Sequence, residues 1–259
     1  HAFSPRFGIV YKPIPTTAVF ASYSTSLTPN NGTDIYLASL PPSIISQYEV
    51  GVKNDLFKGL LSANVTLYRI RNNNYAQTAP FDSLGNENNN TAYKALIGET
   101  LSQGVEVDLA GHPLPGLDVI AGYSYNSMTI ENAPAKNGSV SGERLVGNPN
   151  HTTNASVFYT LQQTKFKGLK FGVGYYYIGQ RFAGWNNTTD ANGVPKANRL
   201  ISVPGFSTLD LSAGYSFKRF GVMAKVSNVT NTYNYYVHEN YSVNPIPPTQ
   251  VTGTVSYKF

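Results

Sequence analysis

Hydrophobic and polar residues alternate strictly over the last nine residues of the chain. Val251, Gly253, Val255, Tyr257 and Phe259 fall on one side of an extended strand, whereas threonine, serine and lysine fall on the other. An open sheet of a soluble protein would seldom end on such an unprotected amphipathic strand. The pattern favours the closing strand of a membrane β-barrel, with one face toward lipid and the other toward water.

The same two-residue period recurs from one end of the chain to the other and predicts about eleven strands. No segment has a convincing helical period, and no apolar run approaches the roughly 20 residues of a membrane helix. The predicted strands lie within residues 6–12, 19–24, 47–53, 61–67, 105–109, 117–125, 155–161, 169–177, 209–217, 220–227 and 251–259.

The segments between these strands alternate in length. Short ones, rich in proline and glycine, lie at 12–17, 54–59, 111–116, 162–168 and 218–220. Long ones, rich in asparagine, glycine, serine and threonine, lie at 28–45, 72–96, 131–148, 184–204 and 231–248. A sandwich would mix both lengths at both ends, whereas an up-and-down barrel keeps short turns inside and long loops outside. The sequence therefore predicts an all-β, transmembrane, antiparallel up-and-down β-barrel.

The strand count suggests that this barrel is incomplete. Because the last connection is long, the last strand runs from outside inward, and counting back gives the first strand the same direction. An antiparallel sheet closes on itself only with an even number of strands. We therefore expect the eleven strands to form about half of a larger barrel.

Composition narrows the chemistry further. The chain has no cysteine, which excludes disulfides and thiolate metal sites, and its four histidines lack metal-binding spacing. Tyrosine dominates the aromatic residues, with 19 copies, and suits the boundary between lipid and headgroup. The net charge of +5 reflects either scattered surface cations or an anionic partner, such as lipopolysaccharide phosphates or an acidic ligand. Nucleic acid is disfavoured, because the basic residues are spread singly along the strands.

Catalysis is disfavoured, and we predict no catalytic residue and no intrinsic cofactor or metal site. Glu106 and Asp108 fall on one strand face roughly 7 Å apart, which is an ordinary feature of a barrel lumen. No Gly-x-Ser-x-Gly elbow is present. A membrane lipase that uses His151 or His238 remains the formal alternative.

Several segments resemble TonB-dependent ferric-siderophore receptors. They read Phe3-Ser-Pro-Arg-Phe-Gly-Ile-Val-Tyr-Lys-Pro13, Ala21-Ser-Tyr-Ser-Thr-Ser-Leu-Thr-Pro29, Gln47-Tyr-Glu-Val-Gly-Val-Lys53, Gln103-Gly-Val-Glu-Val-Asp-Leu-Ala-Gly111, Val226-Ser-Asn-Val-Thr-Asn-Thr-Tyr233 and Ser256-Tyr-Lys-Phe259. The resemblance implies that residues 1–259 are the C-terminal part of a 22-stranded barrel, without the N-terminal plug domain that binds TonB. It also implies a bacterial outer-membrane receptor for energy-coupled ferric siderophore uptake. A passive porin or substrate-specific channel is the alternative, and a surface adhesin barrel is a third.

The resemblance also directs attention to aromatic residues of the long loops, because receptors of this family hold the siderophore in an aromatic-lined pocket. Trp185, Tyr235 and Tyr236 are the candidates for stacking against flat chelating groups. Arg181 and Arg199 flank the Trp185 loop and are candidates for contact with an anionic iron complex. The alternative role for the aromatic residues is an interfacial girdle without a ligand.

Overall fold

The computed structural model of the chain describes residues 3–79, 81–86, 88–96, 98–133, 140–163, 165–185, 200–239 and 242–259, with the main chain alone at Trp185 and Glu239. The strands are β1 (Arg6–Ile14), β2 (Thr17–Thr28), β3 (Ser43–Leu56), β4 (Leu61–Asn73), β5 (Ala76–Thr78), β6 (Lys94–Leu96), β7 (Glu99–Leu114), β8 (Leu117–Asn132), β9 (His151–Thr160), β10 (Lys170–Ile178), β11 (Arg181–Trp185), β12 (Leu200–Val203), β13 (Phe206–Phe217), β14 (Phe220–Ser227), β15 (Tyr235–Glu239), β16 (Ser242–Pro245) and β17 (Gln250–Tyr257). A 3₁₀ turn spans Phe57–Gly59. No helix in these ranges is both long and apolar enough to cross a membrane.

Eleven of the strands form one sheet, in the order β1-β2-β3-β4-β7-β8-β9-β10-β13-β14-β17. Every neighbouring pair in the sheet is antiparallel. The other six strands form three small hairpins, β5–β6, β11–β12 and β15–β16, each within a long connection. The predicted all-β, up-and-down arrangement of about eleven strands is therefore confirmed.

The connections alternate in length as the sequence predicts. Short ones occupy 15–16, 57–60, 115–116, 161–169 and 218–219, and long ones occupy 29–42, 74–98, 133–150, 179–205 and 228–249. Since consecutive strands run in opposite directions, all long connections leave from one end of the sheet. Gly116 shows why glycine is needed in a two-residue turn: its φ is +80°, and a Cβ there would lie 2.3 Å from the Thr160 carbonyl oxygen.

The register sorts side chains into an apolar and a polar face. Val157, Val173, Leu211, Val226 and Val251 lie directly opposite one another across β9, β10, β13, β14 and β17. The alternate positions carry polar pairs. Lys225 Nζ lies 2.8 Å from Asp210 Oδ2, and Lys170 Nζ lies 3.4 Å from Asp118 Oδ2. This division suits lipid on the apolar face and a water-filled or protein-filled lumen on the other.

The buried apolar residues lie mainly at the outer end of the sheet and in the long connections. They include Ala79, Leu145, Ala183, Val203 and Ile246. The reason is geometric, because a single-layered sheet between lipid and lumen has no second layer against which to bury its faces. Local packing that fixes a side chain in place is therefore concentrated at this end of the sheet and in the long connections.

A matched pair of lysine substitutions tests the assignment of the two faces. Val157 lies in the middle of the apolar face, and Ser156 is its neighbour on the polar face. In the full-length protein, Val157→Lys should destabilise the folded barrel by about 2–4 kcal/mol, because it places a charge near the bilayer midplane. Ser156→Lys should cost far less. Urea titration of folding into lipid vesicles measures both, and equal losses would contradict the assignment.

Candidate functional site

A concavity of about 540 Å³ lies at the outer end of the polar face. Strands β9, β10 and β13 supply one wall through alternate residues that share the polar face: Thr152, Asn154, Tyr176, Ile178, Phe206, Thr208 and Asp210. The opposite side is formed by the start and end of the last long connection, at Asn228 and at Pro247 and Pro248. The concavity thus combines aromatic rings with hydroxyl, amide and carboxylate groups, a mixture typical of small-molecule sites.

The β15–β16 hairpin contributes Tyr236 to this concavity. The Tyr236 ring meets the Phe206 ring edge-on, with centroids 6.0 Å apart and an interplanar angle of 67°. Phe206 is buried, whereas 40% of Tyr236 is exposed. Tyr236 is therefore held on one side by a buried ring and keeps an accessible ring surface on the other.

Asn228 fixes the two ends of the last long connection together. It is buried, and its φ of 49° is a left-handed conformation that asparagine tolerates better than most residues. Its Nδ2 donates to the carbonyls of Thr232 and Pro247, at 3.0 and 2.9 Å. Its Oδ1 accepts from the Thr232 amide at 2.9 Å. This network explains the Val226–Tyr233 motif as a structural junction beside the concavity.

Asp210 is the carboxylate of the site, and its charge is compensated locally. Lys225 approaches one carboxylate oxygen at 2.8 Å, and the Asn228 amide donates to the other at 2.9 Å. A carboxylate held by an ammonium and a main-chain amide has little need of a further cation. Asp210 therefore offers an oriented, partly neutralised acceptor rather than a free negative charge.

Arg181 lies beside the concavity but points into the protein. It is 2% exposed, and its guanidinium stacks over Phe206 at 5.2 Å from the ring centroid. Nη1 donates to the carbonyls of Gly179 and Pro204, at 3.3 and 3.1 Å. Nη2 donates to Asn234 Oδ1 at 3.2 Å and to the Tyr235 carbonyl. Burial lowers the pKa of the Arg181 guanidinium, which nevertheless stays charged at neutral pH.

These contacts give Arg181 a clear role in the described structure, because it joins β11 to the β15–β16 hairpin. Asn234 takes part in the same junction, since its Nδ2 donates to the Pro204 carbonyl at 3.2 Å. The predicted contact between Arg181 and an anionic ligand stays a prediction. Arg199, the second predicted cation, lies outside the described residues.

The three predicted aromatic residues are placed differently from one another. Tyr236 lines the concavity. Tyr235 turns toward Tyr233: their hydroxyl oxygens are 2.6 Å apart, and this hydrogen bond raises the pKa of Tyr235. The main chain of Trp185 ends β11 and pairs with Leu200, while its side chain lies outside what the structure describes. A ligand role for each of the three remains a prediction.

Sequence reasoning missed Asp210, Asn228 and Phe206 as parts of the site. The sequence pattern could have identified Asp210 as a candidate, because it is the one acidic residue among the serine, threonine and glycine residues on the polar side of β13. Lys225 on the next strand would have completed the pair once the register was known. Asn228 and Phe206 carry no such signal, since their roles depend on how the last connection folds back.

The family profile described as "TonB dependent receptor-like, beta-barrel" matches residues 1–245 of this chain. The chain belongs to the TonB-dependent receptor family. It is accordingly part of a β-barrel of the bacterial outer membrane, as the alternating strands and loops predict. The predicted resemblance of the chain to this family is thereby confirmed.

Two curated relatives are similar over most of the chain. The metal-pseudopaline receptor CntO of Pseudomonas aeruginosa is 27% identical over 263 residues, which cover 100% of this chain and 34% of that protein. The ferrioxamine B receptor of Salmonella typhimurium is 27% identical over 233 residues, which cover 88% of this chain and 29% of that protein. The chain thus spans about a third of the length of these relatives, and both are named as receptors.

Solved structures share the fold. The ferripyoverdine receptor of the outer membrane of Pseudomonas aeruginosa superposes with a TM-score of 0.78 at 21% identity, covering 99% of this chain and 33% of that one. The ferric-catecholate import receptor Fiu of Escherichia coli K12 gives a TM-score of 0.74 at 22% identity, covering 98% of this chain and 34% of that one. The eleven-stranded sheet therefore has the architecture of a receptor barrel portion.

Replacing Arg181 should loosen the hairpin that carries Tyr236. Arg181→Ala removes a charged donor from buried carbonyls, and each such hydrogen bond typically contributes about 1.5–3 kcal/mol. Hydrogen exchange in the full-length protein should show the β15–β16 amides exchanging at least tenfold faster, a difference of about 1.4 kcal/mol in local opening. Arg144→Ala is the matched control, because Arg144 hydrogen-bonds the Asn148 carbonyl and stacks over Phe182, and has no hydrogen bond or ring contact with the described residues of β15–β16. Equal exchange in both variants would contradict the assigned role.

Proposed function

We propose that the full protein is an outer-membrane receptor that imports a ferric siderophore, or a closely related metal chelate, with energy supplied through TonB. The observation that carries this proposal is the concavity under the β15–β16 hairpin, at the end of the sheet where all long connections lie. Family membership and the names of the relatives, which refer to metal-pseudopaline and ferrioxamine B, support the substrate class.

The concavity suits the chemistry of a chelate. A metal held by a siderophore presents flat or amphipathic organic groups rather than free coordination sites. Tyr236 and Tyr176 offer ring surfaces for contact, and both are about 40% exposed, at 40% and 42%. Asn154, Thr208 and Asp210 offer amide, hydroxyl and carboxylate groups that fix orientation through hydrogen bonds. Binding a chelate requires no residue to break or form a covalent bond. We propose that the chain is not an enzyme.

We assign Trp185 to the same recognition surface as Tyr236. The pairing of β11 with β12 ends at Trp185, and Arg181 at the start of β11 is joined to the hairpin that carries Tyr236. Arg199 follows in the same long connection and would supply positive charge to an anionic complex. Tyr235 supports this surface through its hydrogen bond to Tyr233.

Transport adds partners that lie beyond these strands. Residues 1–259 would form the C-terminal part of a 22-stranded barrel, and the polar face would surround a plug domain. Binding at the outer concavity would rearrange the plug, which would engage the TonB complex. The apolar face would contact outer-membrane lipid and lipopolysaccharide, and nucleic acid would not be a partner.

Aromatic substitutions test ligand recognition. In the full-length protein, Tyr236→Ala and Trp185→Ala should each weaken binding of ferrioxamine B or ferric pyoverdine about threefold to tenfold, because one stacked ring contributes roughly 0.5–1.5 kcal/mol. Calorimetric titration gives the Kd. Tyr215→Ala is the matched control, since Tyr215 is 38% exposed but lies on the apolar face. Wild-type affinity in both loop variants would assign these rings to the interfacial girdle.

Energy coupling separates this proposal from a passive porin or channel. Cells that carry the full-length protein should accumulate the iron-loaded siderophore only while the inner membrane is energised and TonB is present. The measurement is uptake of the radioactive iron complex with and without a protonophore and in a strain lacking TonB. Uptake that continues at the same rate in both conditions would favour the channel.

A further inference from the structure

A second concavity lies on the opposite, apolar face of the sheet. It has a volume of about 580 Å³ and is lined by Ser46, Tyr48, Arg69, Arg71, Asn73 and Glu99. Five of these residues continue the lipid-facing positions of β3 and β4, since the apolar pair Val50 and Leu67 lies next along the same face, and Glu99 begins β7 beside them. They lie near the ends of β3, β4 and β7 from which long connections leave. The concavity is therefore at the outer, extracellular edge of the apolar band.

Neighbouring tyrosines indicate the depth at which this concavity lies in the bilayer. Tyr23, Tyr48 and Arg69 lie directly opposite one another on β2, β3 and β4. The Tyr23 and Tyr48 rings contact each other with centroids 4.8 Å apart. Exposed tyrosines on the lipid side of a barrel form the girdle at the level of the headgroups. Arg69 stands on the same level, and Arg71 lies two residues further out, roughly 7 Å along the strand.

The charges of this concavity are unbalanced. Arg71 Nε lies 3.5 Å from Glu99 Oε1, so one guanidinium is paired. Arg69 is exposed and forms no hydrogen bond or ion pair with any residue in the described ranges. Among the described residues two cations face one carboxylate, which leaves one positive charge in excess at the edge of hydrocarbon. A charge there is costly unless a partner of opposite sign meets it.

We propose that this concavity binds the phosphate-bearing headgroup of lipopolysaccharide. The outer leaflet that surrounds this end of an outer-membrane barrel consists of lipopolysaccharide, and its lipid A sugars carry phosphate groups. The Arg69 guanidinium presents a planar fork of donors that matches phosphate geometry, and Glu99 orients Arg71 beside it. Ser46, Asn73 and the Tyr48 hydroxyl suit the sugar, while Val50 and Leu67, 47% and 52% exposed, lie where acyl chains would run.

This inference rests on membership in an outer-membrane family and not on the choice of siderophore. The test uses the full-length protein purified in detergent, with lipid A as the probe. Arg69→Gln/Arg71→Gln should raise the Kd for lipid A about tenfold, because it removes charge-assisted hydrogen bonds to phosphate. Arg219→Gln, an exposed arginine in the short turn at the opposite end, should leave the Kd unchanged. Ferrioxamine B binding should be the same in all three proteins, so failure of one proposal does not imply failure of the other.

Two further probes decide the source of the phosphate. Dephosphorylated lipid A should bind the wild-type protein at least tenfold more weakly than lipid A. Equal binding would overturn the proposal without any variant, even if the glutamine variants failed to assemble. Phosphatidylglycerol should bind more weakly than lipid A. If it binds equally well and is lost equally in the double variant, the surface is a phospholipid site and lipopolysaccharide is not its partner.

Discussion

The hydrogen bonds between neighbouring main chains are the interaction on which the rest of this structure depends. Within hydrocarbon no water is available to satisfy an amide or a carbonyl, and each unsatisfied group costs several kcal/mol. The eleven strands meet this constraint by pairing in sequence order, with long regular registers such as the nine opposed pairs between β10 and β13. Once the register is fixed, every side chain is committed to one face, because a shift by one residue would exchange the two faces.

That commitment separates the two kinds of recognition that we propose. Residues such as Asn154, Tyr176 and Asp210 point to the side on which the ligand would enter, whereas Tyr48, Arg69 and Arg71 belong to the lipid side. Neighbouring residues on one strand therefore belong to different chemical environments. The two sets also lie on different strands, the first on β9, β10 and β13 and the second on β3 and β4. A substitution in one set can therefore reach the other only through the sheet between them.

The same rule explains how much could be predicted from the sequence. The period of two, the short turns and the final alternating strand predicted the fold class, the number of strands and the ends at which the long connections lie, because each of these follows from local pattern. The position of Arg181 did not follow from pattern. Its acceptors are the carbonyls of Gly179, Pro204 and Tyr235 and the side chain of Asn234, which are supplied by separate parts of the chain. A cation near an aromatic residue in the sequence has no signature that distinguishes ligand contact from such a junction.

The sheet and the outer connections depend on sequence in different ways. The sheet can retain its architecture at about 21% identity, because main-chain pairing and alternation tolerate many side chains. The concavity depends instead on particular side-chain contacts. Its shape depends on Asn228 at a left-handed φ, on Arg181 between two hairpins and on the Phe206–Tyr236 contact. If the proposed function holds, substrate choice should thus change through substitutions in the long connections that leave the eleven-stranded sheet intact. In the proposed receptor, the buried polar residues of these connections would act on ligand binding indirectly, by holding the exposed rings in position.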